Sequence, residues 1–230
     1  MARKPRLFLE GMPHHVVQRG NNKDQIFFKS SDYLLFLEVL REAKKKHPCL
    51  LYAYCLMTNH IHLLLSPLQE ENIPLLMKLV GAKYVRYINK AYARTGTLWE
   101  GRFKCSLVQD DAYLAACLRY IEMNPVRAGL VTSPEVYQWS SYRFRAYGED
   151  YAILDRDPWF EELGLQEEDR RQQYRFFFQK PEDDLVLKMI REMTLKGGII
   201  GNEQFKLRIK RLTGREVILR PQGRPCLQNK

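Results

Sequence analysis

The chain has 230 residues and a net charge of +10, from 37 Lys and Arg against 27 Asp and Glu. At roughly 100–200 residues per domain this is one domain with an appendage or two small ones, long enough for a hydrophobic core without disulfides or structural metals. The 45% hydrophobic content argues against disorder, no apolar run approaches the roughly 18 residues of a membrane span, and the basic start MARKPRLFLEGMPHH is too short in apolar residues for a secretory signal.

Taken in chain order, HHVVQRGNN (14–22) alternates like a strand and ends at a Gly-Asn turn. Ser31-Asp32 is placed to cap a helix reaching about Lys46, with Leu34, Leu37, Leu40 or Phe36, and Ala43 at helical spacing. LLYAYCLMT (50–58) and HIHLLLS (60–66) read as two strands joined by a tight Thr58-Asn59 link. Residues 73–92 form an amphipathic helix with Leu76, Val80, Tyr87, Ile88 and Ala91 as core candidates, and Lys83, Arg86 and Lys90 make a basic stripe on it. A strand near 103–108 follows, then a helix capped by Asp110 or Asp111 and stopped by Pro125. This order predicts an α+β fold, a ferredoxin-like split βαβ antiparallel sheet with helices on one face. The composition changes after WSSYRFRAYG, which places a boundary near residue 150: 1–150 as the main domain, and 151–230 as a mostly helical extension with a short basic helix at 202–212 and a basic tail.

Charge follows this division. Residues 1–50 are net +5, 101–150 neutral, 151–200 net −3 and 201–230 net +6. A basic start and a dense basic tail point to an anionic partner, nucleic acid above all, and so to a cytoplasmic protein associated with the nucleoid. The cysteines are Cys49, Cys55, Cys105, Cys117 and Cys226. An odd count without a CxxC pair is neither a disulfide framework nor a zinc finger. Cys55 and Cys117 read as small core residues.

Two motifs carry chemistry. In Asn59-His60-Ile61-His62 the strand period projects His60 and His62 to one face and Ile61 to the other, so both imidazoles can serve one divalent metal. An isolated H-x-H is a weak signal. In RYIEMNPVRAG (119–129), Tyr120 and Asn124 are four apart on a helix, about 6 Å from one another on one face. A Tyr hydroxyl can act as a covalent nucleophile and an Asn carbonyl can complete a metal's ligand set. Asn124 precedes Pro125, which disfavours the helical conformation there.

Together, GxxHHVVQRGNN, MTNHIHLLL, GTLWEGRFK, DAYLAACLRYIEMNPVRAGLV and WSSY resemble the REP-associated tyrosine transposases, relatives of the single-strand insertion-sequence transposases within the HUH endonuclease superfamily. The resemblance covers about residues 5–148. It implies His60 and His62 as paired metal ligands, Tyr120 as nucleophile, and Asn124 as third ligand where the insertion-sequence relatives use Gln. It further implies a Mg²⁺- or Mn²⁺-dependent single-strand DNA endonuclease and strand transferase that acts at REP-type hairpins through a 5′-phosphotyrosine. A monomer is expected over a dimer.

Arg19, Lys83, Arg86, Lys90, Arg102, Lys104 and Arg127 are candidate phosphate contacts, stronger as a set than singly. Trp99 and Phe103 are suited to base stacking or, more simply, to packing. The family pattern that the sequence resembles has a His at the position of His15; His14 and His15 nevertheless read as packing residues, and Glu122 as an exposed helix acid. Arg224 in Gly223-Arg224-Pro225 resembles an AT-hook centre, and the basic C-terminal segment is expected to help bind the hairpin duplex. The competing reading is a catalytically silent domesticated transposase that binds structured DNA or RNA. A metal-dependent hydrolase of small molecules fits the charge poorly.

Overall fold

The structure, a computed structural model, describes residues 6–110 and 112–215. Arg224 and the tail around it lie outside the described residues.

Four strands form the centre: β1 (His14–Arg19), β2 (Cys49–Met57), β3 (His60–Pro67) and β4 (Lys104–Val108). β3 pairs antiparallel with β2 and β1, and β1 pairs antiparallel with β4, giving the order β2-β3-β1-β4. Helices α1 (Ser30–Lys46) and α2 (Asn72–Ala91) supply the two crossovers, so the expected split βαβ arrangement is present. A short β5 (Ile199–Ile200) adds a parallel edge to β4, which makes the sheet mixed rather than wholly antiparallel.

Strand periodicity divides the side chains between two faces. Val16, Leu56, Ile61, Leu63 and Leu65 pack with Phe36, Leu40, Leu76, Val80 and Tyr84 of α1 and α2. The expected arrangement places helices on one face of the sheet, and the structure covers the opposite face as well. α3 (Ala112–Glu122) and α8 (Asp184–Lys196) cover it: Cys55, Met57 and Leu64 pack with Leu114, Cys117, Leu118 and Ile121 of α3 and with Ile190 and Met193 of α8. α8 was invisible to the strand pattern because it arrives from the extension. A register shift between Leu51 and Ala53 in β2 lets Tyr52 and Ala53 both serve this second face.

Beyond α3 the chain forms α4 (Asn124–Arg127), α5 (Tyr142–Tyr147), α6 (Pro158–Glu161), α7 (Glu167–Gln179), then α8, and α9 (Glu203–Thr213). α5, α6 and α7 share a small aromatic core of Tyr142, Phe160, Tyr174 and Phe178. Gly197, at φ +66°, ends α8 in the left-handed conformation and turns the chain into β5. α9, the expected basic helix, sinks Ile209 against Leu107 and Ile199. Among the described residues no helix is long and apolar enough to cross a membrane.

Three local expectations are corrected. Asp32 does not start α1; it lies in its first turn, and its Oδ2 reaches back to accept from the backbone N–H groups of Phe28 and Lys29 at 2.9 and 3.1 Å. Ala91 is exposed, and Tyr84 fills the core position instead. Glu122 is fully buried. It accepts from Ser141 (2.6 Å) and Tyr174 (2.5 Å) and lies 3.6 Å from the buried Arg145, which is itself paired with Asp157 at 2.7 Å. A helix acid at this position reads as solvated only while α5 and α7 are unknown; they supply the partners that make burial tolerable.

Candidate active site

The turn Gly20-Asn21 and the link Thr58-Asn59 lie side by side at one end of the sheet. Gly20 donates to the Asn59 carbonyl at 2.8 Å, and a Cβ at Gly20 would meet the Asp24 carbonyl at 2.2 Å. Glycine is therefore required for the close approach that positions the start of β3.

From that start, His60 and His62 point to the second face, with ring centroids 4.9 Å apart. The Asn59 side chain holds His60 through Oδ1 to Nδ1 at 2.6 Å. His62 is buried, and its Nδ1 is 2.8 Å from Nε2 of His15 on β1. His15 Nδ1 is in turn 3.0 Å from the Thr194 hydroxyl of α8. The other ring nitrogen of His62, Nε2, is buried without a hydrogen-bond partner among the described residues. Burial pushes the His60 pKa down to about 4, with Arg19 adding to the effect. Burial also pushes His62 well below its usual range, reinforced by His15, His60 and Arg127. Both rings are neutral at pH 7, the form that donates a nitrogen lone pair.

α3 lies across these rings. The Tyr120 ring meets His62 and His15 edge-on, with centroids 6.0 and 5.8 Å away. Burial raises the pKa of its hydroxyl, and the guanidiniums of Arg127 and Arg191 oppose that rise. Arg127 stacks over the Tyr120 ring at 4.6 Å, donates to the Tyr120 carbonyl, and is paired with Glu182 at 2.9 Å.

Asn124 departs from expectation. α3 ends at Glu122, and Asn124 opens α4 instead of sitting in the last turn of α3. Its Nδ2 turns back to donate to the carbonyls of Tyr120 (2.9 Å) and Ile121 (3.1 Å). The amide thus caps the end of the tyrosine helix with its donor half, which leaves Oδ1 as its acceptor half. Pro125, expected to stop the helix, is accommodated in the first turn of α4. Among the described residues no group of three His, Cys, Asp or Glu stands in metal-binding geometry. The candidate donors of the two motifs are His60, His62 and the Asn124 amide.

The candidate cations are dispersed. Arg19 ends β1, opposite His60 in register, and pairs with Glu100 at 2.5 Å. Lys83 is paired with Glu42 of α1. Arg86, Lys90 and Arg102 are exposed, and Lys104 starts β4. The α2 stripe belongs to the helix layer on the opposite side of the sheet from the histidines. Trp99 and Phe103 pack against the first-face core, as the simpler expectation held. His14 is buried, with Nδ1 on the Met12 carbonyl at 2.7 Å.

Thr194 and Arg191 are the residues that the motifs did not pick out at this site, and His15, a family-pattern histidine read as packing, joins them. His15 was legible in retrospect: the alternation of β1 and its pairing with β3 put it on the face of His62. Arg191 and Thr194 carry no such signal, because nothing in an amphipathic helix of the extension shows that it folds back over β1 and β4.

Comparison with known proteins places the whole arrangement. A 27% identical relative from Haemophilus influenzae, described as a "putative REP-associated tyrosine transposase", aligns over 132 residues, 53% of this chain and 75% of the relative. A solved structure of a REP-associated tyrosine transposase bound to a REP hairpin superposes at a TM-score of 0.51, with 17% identity, over 68% of this chain and 99% of that one; it shares the fold. The family model described as "Transposase IS200 like" matches residues 9–124, the segment that runs from just before β1 through α3 and holds His15, His60, His62, Tyr120 and Asn124. The chain therefore belongs to the IS200-like transposase family.

Proposed function

We propose that the chain is a metal-dependent single-stranded DNA endonuclease and strand transferase that acts at REP-type hairpins through a covalent 5′-phosphotyrosine. One observation carries the reading: a buried, neutral His62 has an unpartnered Nε2, and its ring stands beside His60 and edge-on to the Tyr120 ring. A buried polar nitrogen without a partner is costly unless a ligand completes it.

His60 and His62 would hold a divalent ion, Mg²⁺ or Mn²⁺, with the Asn124 carbonyl as third donor after a turn of its amide away from the end of α3. When bound, such an ion polarises the scissile phosphate and offsets charge on its oxygens. Tyr120 supplies the nucleophile. Its oxygen bonds to phosphorus, the bond from phosphorus to the 3′ oxygen breaks, and the proton lost by the phenol is balanced by one taken up on the 3′-hydroxyl. The phosphotyrosine keeps the bond energy, so a 3′-hydroxyl of another strand can reverse the step as strand transfer. Arg127 and Arg191 favour the phenolate form and would neutralise the phosphate attached to it.

The Tyr120 ring meets His62 of its own chain, which supports a site complete in one monomer. Arg86, Lys90, Arg102 and Lys104 are assigned to backbone contacts, with Arg19, Lys83 and Arg127 joining after exchange of their carboxylate partners; Arg224 is assigned to the hairpin duplex. We assign catalysis and these backbone contacts to residues 1–150, with the helical extension 151–230 adding to DNA binding, in a cytoplasmic, nucleoid-associated protein.

The test is to incubate the chain with Mn²⁺ and a REP hairpin oligonucleotide labelled at its 3′ end. The expected result is cleavage with the label transferred to protein, abolished by EDTA and by His62→Ala. Binding without cleavage would favour the silent, DNA-gripping alternative, and equal cleavage in EDTA would refute the metal.

A further inference from the structure

We propose that Thr194 and His15 are positioning residues that fix the tautomer of His62 and so aim its Nε2 lone pair into the site. The inference rests on the assignment of His62 as a metal ligand and adds to it a part of the chain that lies beyond the family match at 9–124.

Three buried groups stand in line. Thr194 Oγ1 is 3.0 Å from His15 Nδ1, and His15 Nε2 is 2.8 Å from His62 Nδ1. A neutral imidazole carries one ring proton, so each contact has one donor and one acceptor. Only two consistent patterns exist. In the first, His62 Nδ1–H donates to His15 Nε2, and His15 Nδ1–H donates to Thr194 Oγ1. In the second, the Thr194 hydroxyl donates to His15, His15 Nε2–H donates to His62 Nδ1, and the His62 proton sits on Nε2.

The surroundings choose between them. His62 Nε2 is buried and has no acceptor to receive a proton. The second pattern therefore leaves a buried N–H unpaired, and the first leaves a lone pair facing the space beside His60 and Tyr120. A cation needs the first. Thr194 is suited to receive the chain, because a hydroxyl accepts with its lone pairs whichever way its own proton turns.

α8 is held at this spot independently of the histidines. Ser106 of β4 donates to the Met193 carbonyl at 2.9 Å, and Ile190 and Met193 are part of the second-face core. Thr194 is thus a fixed acceptor at the end of a rigid helix, and a change there should reach the metal site without any contact to the metal. In metal sites, loss of such an outer partner typically weakens affinity by about 10–100-fold.

The experiment uses the full chain, with Thr194→Val, Thr194→Ala and Thr194→Ser. Long-range ¹H–¹⁵N correlation of the histidine rings, without metal, reads the tautomer; calorimetric titration with Mn²⁺ reads the affinity. Wild type and Thr194→Ser are expected to hold His62 with its proton on Nδ1. In Thr194→Val that preference is lost and Mn²⁺ affinity drops by about 10–100-fold; Thr194→Ala gives the same readout if Val disturbs folding. Unchanged tautomer and affinity in folded Thr194→Val or Thr194→Ala would overturn the proposal. Unchanged Mn²⁺ affinity in His62→Ala would overturn the ligand assignment beneath it, and the metal-free tautomer measurement separates the two failures.

Discussion

The two faces of the central sheet are built from alternate residues of the same strands, yet they differ in kind. The face under α1 and α2 is mostly hydrocarbon and aromatic, and its buried Asp32, His14 and Gln18 are each partnered: Asp32 by Phe28, Lys29, Tyr87 and Tyr92, His14 by the Met12 carbonyl and Gln18 by the Gly101 carbonyl. The face under α3 and α8 carries His15, His62, Ser106 and Tyr120, with Glu122 and Arg145 buried close behind. One period-two pattern thus specifies the fold with one set of side chains and leaves the other set for chemistry. The buried charges behind this second face are tolerated because they pair: Glu122 accepts from Ser141 and Tyr174 and faces Arg145, which is paired with Asp157.

If the first face serves packing alone, Phe36→Ala should lower stability by about 3–5 kcal/mol through cavity formation, read by urea denaturation, while any folded protein keeps wild-type cleavage per molecule. On the second face, Glu122→Gln should cost a similar amount, about 3–5 kcal/mol, because Arg145 loses a buried charge partner. Unlike Phe36→Ala, it should also displace the tyrosine helix, so cleavage per folded molecule falls. Equal behaviour of the two variants would erase the distinction.

A smaller effect comes from His14, whose pKa burial pushes down to about 4 from 6.5, with the Met12 carbonyl opposing. Its neutral form is the folded one. As pH falls from about 6.5 toward 4, the unfolded chain takes up a proton that the fold refuses, so stability drops, by about 3 kcal/mol from this group alone. His14→Gln should flatten that part of the pH profile; an unchanged slope between pH 7 and 4 would show that His14 does not contribute. The smallest effects belong to the α2 stripe. Arg86→Ala and Lys90→Ala should each weaken DNA binding across all sequences and reduce the salt slope by about 1, with the cleavage rate of bound DNA unchanged.

Much of the first face was legible in the sequence, because aliphatic residues at a period of 2 in Ile61, Leu63 and Leu65 and near 3.6 in Leu76 and Val80 announce strand, helix and burial together. The histidine pair was legible from spacing, and Tyr120 acquired meaning only beside the family motifs. What escaped were contacts made by distant segments. Glu122 looked solvated because its partners Ser141, Arg145 and Tyr174 lie 19 or more residues away. Thr194 is separated from His15 by 179 residues, and no local pattern encodes such a pairing. The backbone break after Glu122, which lets the Asn124 amide cap α3, was not legible either, because the helical spacing continued through Asn124.

The central claim is that the second face brings Tyr120 to bear on a phosphate held beside His60 and His62. The most direct measurement is to digest the protein recovered from a Mn²⁺ reaction with a REP hairpin and locate the DNA-linked peptide by mass spectrometry. The account predicts a nucleotide adduct on Tyr120 and its complete loss in Tyr120→Phe. An adduct on another residue, or cleavage by Tyr120→Phe at the wild-type rate, would contradict it.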